Sequence, residues 1–535
     1  MNLITDPWLT FRLADGSEKM LPIHDIADPT VIDLALPRAD FYGAAYQFLI
    51  GVLQTTIAPE NKRDWKNMFQ QPPPKATLQN EFKRIEHAFN VTGDGPLFMQ
   101  DFDLLENAKS SPVSGLLIEA PGENGLKLNT DHFIKRGIGE QMSLPMACLA
   151  LFTLQINAPS GGQGHRVGLR GGGPLTTLIR PATVQTPLWK KLWLNVINRS
   201  FFPYDDPNLH DGSVFPWLAP TKTSDKKGTE IYATDDNIHE LHMYWAMPRR
   251  IRLEITQGNA SCAVSGLNVD TYVTNYRSQN YGGNYSGNWR HPLTPYKWDP
   301  KKPNSDHLSA KGQPGGINYK IWAALLLASE KEGQLCATVV EHFYEVHRYL
   351  EQEYTQFPAL WVFGYDMDNM KARGWYSASL PIFNVPVEQQ EDVFDTVKTL
   401  QELASKALSQ CRSQLKAAWF SRPGDAGGDF SFVDVSFWQR TENAFYEAVN
   451  TIVETTQKTD SPLSPDSAQR WVKTIQRTVV DIFDEFALSE LGNERSMAKR
   501  IKARQFLTGW LYGSKDIKKF RADFQIDTLK EVANG

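Results

Sequence analysis

Cysteine is scarce in this chain: four residues in 535, at positions 148, 262, 336 and 411. None belongs to a CxxC pair, which argues against a disulfide scaffold and leaves no sequence-local thiolate zinc cluster. A reducing, cytoplasmic setting is therefore expected. Long apolar runs are missing too. The richest stretches, Ser143–Ala158 and Ile321–Ser329, fall short of the ~18 uninterrupted apolar residues of a membrane span. The opening residues lack a basic segment followed by an apolar one, so no secretory signal is expected. Charge of one sign is not in large excess: 56 Lys and Arg against 61 Asp and Glu leave a net charge of −5. That excludes a protein basic all over, but not a local anion-binding face. What is present is 41% hydrophobic and 11% aromatic residues. This is a globular composition with enough apolar surface for more than one core, at roughly 150 residues per domain.

The charges are unevenly placed. No Asp or Glu occurs from Gln141 to Tyr204, where simple proportion expects about seven. The window instead carries Arg166, Arg170, Arg180, Lys190, Lys191 and Arg199. A second acid-free window runs from Thr271 to Trp298 and holds Arg277, Arg290 and Lys297 among aromatics. From Glu494 to Arg521 nine Lys and Arg face only Glu494 and Asp516. A net-acidic chain that keeps acids out of chosen segments is suited to polyanions there. Burial excludes charges of either sign and is the competing account for Gln141–Ala158.

Periodicity divides the chain into residues 1–380, a large mixed α/β domain, and residues 385–535, a four-helix bundle; the expected class is α+β. In the first part a buried helix is predicted over Phe41–Ile57, with Asp40 as its N-cap, and another over Leu144–Ile156. Thr176–Ile179 and Ile251–Ile255 read as short strands. Asn318–Glu330 and Gln334–Glu353 read as two helices joined at Gly333, after an exposed loop over Asp299–Gly316. In the second part Val393–Ala418, Ser436–Thr456, Ser467–Leu488 and Glu494–Tyr512 each repeat apolar residues at three-to-four spacing, with breakers between them.

Catalytic and metal motifs fail on spacing. His239 and His242 flank Glu240 at i, i+3, where a metalloprotease helix needs i, i+4. His342, Glu345 and His347 miss the reversed arrangement by one residue. Gly161–Gly173 holds seven glycines, but no Gly-Lys-Ser/Thr follows and the third glycine of a dinucleotide loop is replaced by Val167. No enzyme, cofactor or metal is expected. The glycine-rich stretch Ala158–Pro174 also carries His165, Arg166 and Arg170. Glycines let a backbone approach a ligand closely, so the stretch suits phosphates or a narrow groove, or is a plain surface loop. Tyr272–Trp298 interleaves Tyr276, Tyr281, Tyr285, Trp289, Tyr296 and Trp298 with Asn, Gly and Arg. It reads as a base-stacking surface, a saccharide platform or a packed aromatic minicore.

Five segments resemble a known family in order and spacing. They are Asn2-Leu3-Ile4-Thr5-Asp6-Pro7-Trp8-Leu9, Leu36-Pro37-Arg38, Pro96-Leu97-Phe98-Met99-Gln100, Gly168–Thr177 and Thr441-Glu442-Asn443-Ala444-Phe445-Tyr446. Together they are similar to the CasA family, the large subunits of the type I-E CRISPR surveillance complex, Cascade. The likeness spans nearly the whole chain. It implies an α/β N-terminal domain plus a four-helix bundle, and no catalysis. It also implies a loop at Phe133, Ile134 and Lys135 that docks on the complex and its guide RNA. A glycine loop at Ser160, Gly161, Gly162, Gln163 and Gly164, beside Arg166, would read the protospacer-adjacent motif (PAM) from the minor groove. A middle-region basic segment near Arg277–Asn280 would enter that groove. A hairpin tip at Asn369 and Met370 would wedge open the first base pair. Gln163 and Asn369 differ from the family's glycine and glutamine, so the preferred PAM is expected to differ. The implied partners are guide RNA, double-stranded target DNA, the backbone and small subunits, and a helicase-nuclease. Arg495, Lys499, Arg500, Lys502 and Arg504 on the last bundle helix would face DNA backbone. Two other readings stand beside this one: a carbohydrate-binding protein or hydrolase using residues 272–298, and a pure assembly scaffold.

Overall fold

The computed structural model describes residues 1–121, 137–162, 164–302, 304–347, 350, 358–368, 370–456, 463–489 and 494–526. They divide into two compact units, Met1–Gly312 with Cys336–Pro381, and Gln313–Leu335 with Ile382–Gly535. The mixed α/β first part and the helical second part match the expected class.

In the first unit, β1 (Leu9–Leu13), β2 (Glu18–Leu21) and β3 (Val31–Leu34) form an antiparallel sheet in the order β2-β1-β3. Helix α1 (Ala39–Ile57) follows. It is apolar on every face and buried along nearly its whole length, as a central helix must be. Phe48 stands edge-on to Trp8, Phe89, Phe98, Phe152 and Trp245 at 5.3–5.8 Å. Burying one such ring contributes about 1.5–3 kcal/mol. The helix begins two residues earlier than expected, and Asp40 is not its cap but part of its first turn. Its carboxylate is drawn instead into a bidentate pair with Arg38 (3.0 and 2.8 Å) and accepts from the Tyr365 hydroxyl (2.6 Å).

Strand β4 (Lys109–Pro112) and the short β5 (Met142–Ser143) precede helix α2 (Leu144–Asn157), capped by Ser143 Oγ and ended before Pro159. Next comes β6 (Thr176–Arg180), then the long antiparallel pair β7 (Arg250–Ser261) and β8 (Asn268–Gln279), with β4 and β5 also paired to β8. A second long pair, β9 (Ala359–Asp368) and β10 (Lys371–Pro381), adds β6 along its free edge. The segment predicted as two helices over 318–353 is a 3-10 turn at Tyr319–Ile321, one short helix at Trp322–Leu326 and a helix at Thr338–Val346. The break has a cause. Ser329 and Gln334 exchange both backbone hydrogen bonds, and Gly333 closes that turn at φ +62°.

The second unit contains helices α3 (Gln390–Trp419), α4 (Ser431–Thr456), α5 (Pro465–Ala487) and α6 (Glu494–Gly513), then a short helix at Lys515–Asp523. Tyr319 fills the bundle core, stacked on Phe445 at 4.2 Å, with its hydroxyl 2.7 Å from Thr441 Oγ1. That contact places 313–335 with the bundle. Helix α6 is apolar on two sides: Ala503, Leu507 and Leu511 are buried, while Ile501, Phe506 and Tyr512 are exposed.

Candidate nucleic-acid interface

The glycine-rich segment starts where α2 stops. Pro159 prevents the helix from continuing, and the chain then folds back on the same helix end. Gly168 N–H donates to Ala158 O (2.9 Å) and Gly173 N–H to Asn157 O (3.3 Å). Ser160, Gly161 and Gly162 are left as a crest open to solvent, and Gly164 is half-buried. Gln163 lies outside the described residues. Gly162 has φ +91° and nothing near its missing side chain. Gly164 has φ +78°, and a Cβ there would sit 2.7 Å from Asn280 Cβ. Tyr281 N–H donates to Gly164 O at 2.7 Å. The structure therefore brings the glycine crest and the Asn280 segment together.

Arg166 is not free beside them. Its guanidinium donates to Ser224 Oγ (2.7 Å) and Ser224 O (2.8 Å), and Ser224 Oγ donates to Gly282 O (2.7 Å). Arg277 lies on β8, paired with Glu254 at 2.7 Å and with Glu106 O at 2.8 Å. Arg170 is buried and donates to Thr176, Thr294, Gln47 and the Ile156 carbonyl. Arg180 lies 4.0 Å above the Trp361 ring, and Lys191 pairs with half-buried Asp33 at 2.9 Å. Burial opposes the Asp33 charge, but Lys191 and the Tyr42 hydroxyl hold its carboxyl below the usual range. Much of the positive charge in the acid-free window is thus internal structure.

Sequence reasoning missed Arg249. Its Nη2 donates to Pro159 O, its Nε is buried without an acceptor, and Gly161 covers its Nη1. Burial lowers its pKa to about 10, so it stays charged at neutral pH. Burial and then Arg249 hold His165 below the ordinary imidazole value. The available signal was the pair Arg249-Arg250 opening a strand, where alternation sends neighbours to opposite faces.

The second half of the segment serves the hairpin. A Cβ on Gly173 (φ +61°) would lie 2.5 Å from Met367 Cγ and 2.9 Å from Tyr365 O. One on Gly364 would lie 2.6 Å from Pro174 O, and one on Gly312 2.8 Å from Tyr365 O. These glycines let three backbones meet at the hairpin base. Asp368 pairs with Lys371 at the end of the ladder, with Met370 at the tip. Met370 is 52% exposed; Asn369 lies outside the described residues. Asp366 is 1% exposed and held bidentately by Arg373 (3.0 and 2.6 Å), which also stands 3.7 Å from Asp368. A bulge between Asp366 and Met367 sets that arginine across from both acids.

Phe133, Ile134 and Lys135 lie outside the described residues, as does the Arg495 side chain. Lys499 donates to Phe420 O, Arg500 to Ala487 O (2.9 Å), and Arg504 to both Asp484 oxygens (2.6 and 2.8 Å). Lys502 lies 6.0 Å from the Phe506 ring centroid. In the aromatic window, Tyr285 and Trp289 are buried with Ile231, Met243 and Ala246, and Tyr296 is buried too. Trp298 stacks on His307 at 5.1 Å. These rings offer no saccharide platform. His242 and His239 each spend both ring nitrogens on protein groups. Among the described residues no group of three or more His, Cys, Asp or Glu is placed to hold a metal, and no helix is long and apolar enough to cross a membrane.

A mixed α/β unit carrying a glycine crest and a long hairpin, together with a helical unit, defines a two-part α/β-plus-bundle class of protein. The family model of the CRISPR-associated protein Cse1 matches residues 2–482. The chain belongs to that family. Its fold is similar to Thermobifida fusca Cse1, at TM-score 0.68 and 16% identity over 98% of each chain. It is also similar to Thermus thermophilus CasA, at 0.64 and 16% over 96% of this chain and 99% of that one. A chain of a CRISPR RNA-guided surveillance complex matches at 0.65 and 15%, over 95% and 99%.

Proposed function

We propose that this protein is the non-catalytic large subunit of a Cascade-type, RNA-guided interference complex, working in the cytoplasm. It reads the PAM of double-stranded DNA from the minor groove, opens the first base pair and passes the target to the guide RNA. One observation carries this reading. A single glycine-rich segment touches Asn280 and Tyr281 with its first half and the base of the 369–370 hairpin with its second. A groove reader and a strand wedge are thereby fixed to one short stretch of backbone.

The chemistry supports it. The minor groove is narrow and its code degenerate, so small residues and backbone amides read it loosely and accept several PAMs. Unstacking one pair costs a few kcal/mol, which Asn369 and the exposed Met370 would offset by inserting beneath it. Arg373 offsets one of the two charges of Asp366 and Asp368, so the acids of the hairpin would repel the strand they meet less strongly. Phe133–Lys135 would dock on the guide RNA and neighbouring subunits. Lys502 and its neighbours Arg495, Lys499, Arg500 and Arg504 would lie along DNA backbone. The helicase-nuclease that cuts the target would be a separate protein.

The test measures binding of a randomised PAM library to the guide-loaded complex, with and without this chain. PAM dependence that appears only with the chain, and is lost in Gly161→Asp and Gly162→Asp, supports the reading. A chain that assembles and leaves binding unchanged supports a pure scaffold and refutes it.

A further inference from the structure

Arg249 lies under the glycine crest with a charge that no acidic group among the described residues answers. Its backbone is fixed by Gln155, whose amide Nε2 donates to Arg249 O and whose Oε1 accepts from Arg249 N, both at 3.0 Å. Pro159 O occupies Nη2. Nη1 has no acceptor among the described residues, Nε is buried without one, and no carboxylate is paired with the guanidinium. The next residue shows the contrast: Arg250 is held by Asp101 (2.7 Å) and Asp103 (2.7 Å). A Cβ on Gly161 would come within 2.7 Å of Nη1. That explains a glycine whose φ is not positive. The amides of Gly162 and Gly164 have no acceptor among the described residues either. A half-buried cation under an exposed stretch of glycine backbone is suited to an anion.

We propose that Arg249 binds DNA at this crest, its Nη1 donating to a non-bridging oxygen of a phosphodiester on the strand that crosses Ser160–Gly164. This rests on the groove-reading role of the loop. A phosphate is favoured over a base edge because the unmet need is charge: the guanidinium lacks a counter-ion, and a neutral acceptor would not supply one.

The test uses the complete guide-loaded complex with Arg249→Gln and Arg249→Lys, titrated with target duplexes of several PAMs over a salt series. Arg249→Gln is expected to weaken binding about ten-fold on every PAM and to lower the slope of log K against log salt by about 0.9. Arg249→Lys keeps the charge and is expected to keep the slope. Three results would overturn the proposal while the wild-type complex stays PAM-selective. They are an unchanged slope in Arg249→Gln, a loss confined to certain PAMs, and an equal loss in both variants, which marks a disturbed loop. A wild-type complex indifferent to PAM overturns the loop reading itself.

Discussion

Gly173 is where the glycine-rich segment is most demanding, and Gly173→Ala isolates that demand. Two costs add. At φ +61° the left-handed backbone costs a non-glycine residue about 1–2 kcal/mol. The new methyl group would then stand 2.9 Å from Tyr365 O and 2.5 Å from Met367 Cγ. Met367 can rotate but the carbonyl cannot, so the hairpin base must shift, at about 1–3 kcal/mol more. Gly162→Ala is the matched control: its φ is +91°, but nothing lies within 4 Å of the added carbon. The two variants should therefore differ by about 1–3 kcal/mol, which is the packing term alone. Urea unfolding of the full chain reads the total loss. Amide exchange over 359–381 reads its location, with each 1.4 kcal/mol of local destabilisation speeding exchange about ten-fold. Equal midpoints for the two variants, with unchanged exchange in the hairpin, would refute the claim that the second half of the segment exists to seat the wedge.

Other outcomes follow from the same geometry. Arg373→Ala should loosen the tip by about 1 kcal/mol, a value discounted for the 42% exposure of the arginine; unchanged exchange at Met367 and Lys371 would deny it that role. Burial lowers His242 from 6.5 to about 4, so the unfolded state takes up its proton first. Stability is then complete above pH 6.5 and falls by about 1.4 kcal/mol per unit down to pH 4; His242→Gln should remove one proton from that slope. Lys502→Glu should weaken DNA binding evenly across PAMs, and a PAM-selective effect would count against a backbone contact. A saccharide titration should show no binding, since Tyr285, Trp289 and Tyr296 are buried; saturable binding would reopen the carbohydrate reading.

What the sequence displayed well was periodicity. The four bundle helices were legible to within five residues at each end, because an apolar stripe repeats over many turns. Thr176–Ile179 and Ile251–Ile255 were legible as strands but too short, since β7 runs on to Ser261 through polar residues stabilised by pairing with β8. The 318–353 segment misled because its apolar residues serve two units, with Tyr319 and Trp322 in one and Val339, Val340 and Phe343 in the other. The glycine crest and its neighbour Asn280 were legible through the family resemblance. Arg249 was only hinted at by the Arg249-Arg250 pair, because its lack of an acidic partner among the described residues shows only in three dimensions.

That lack also changes the meaning of the acid-free window. Reading charge from sequence treats each Arg as a potential ligand for a polyanion. Here Arg166, Arg170, Arg180 and Lys191 are committed to Ser224, Gln47, Trp361 and Asp33, and they hold the crest, β6 and α1 in place. Acids are absent from the window partly because they would compete for those same cations. On the function proposed above, electrostatic attraction to DNA would come from cations that the fold leaves uncompensated. At the crest the proposed cation is Arg249, from outside the window, beneath a residue with no side chain. The same logic applies on α6, where Arg504 is neutralised by Asp484 and Lys502 is left beside an exposed Phe506. A count of basic residues overstates the nucleic-acid footprint; subtracting every cation that already has a partner locates it.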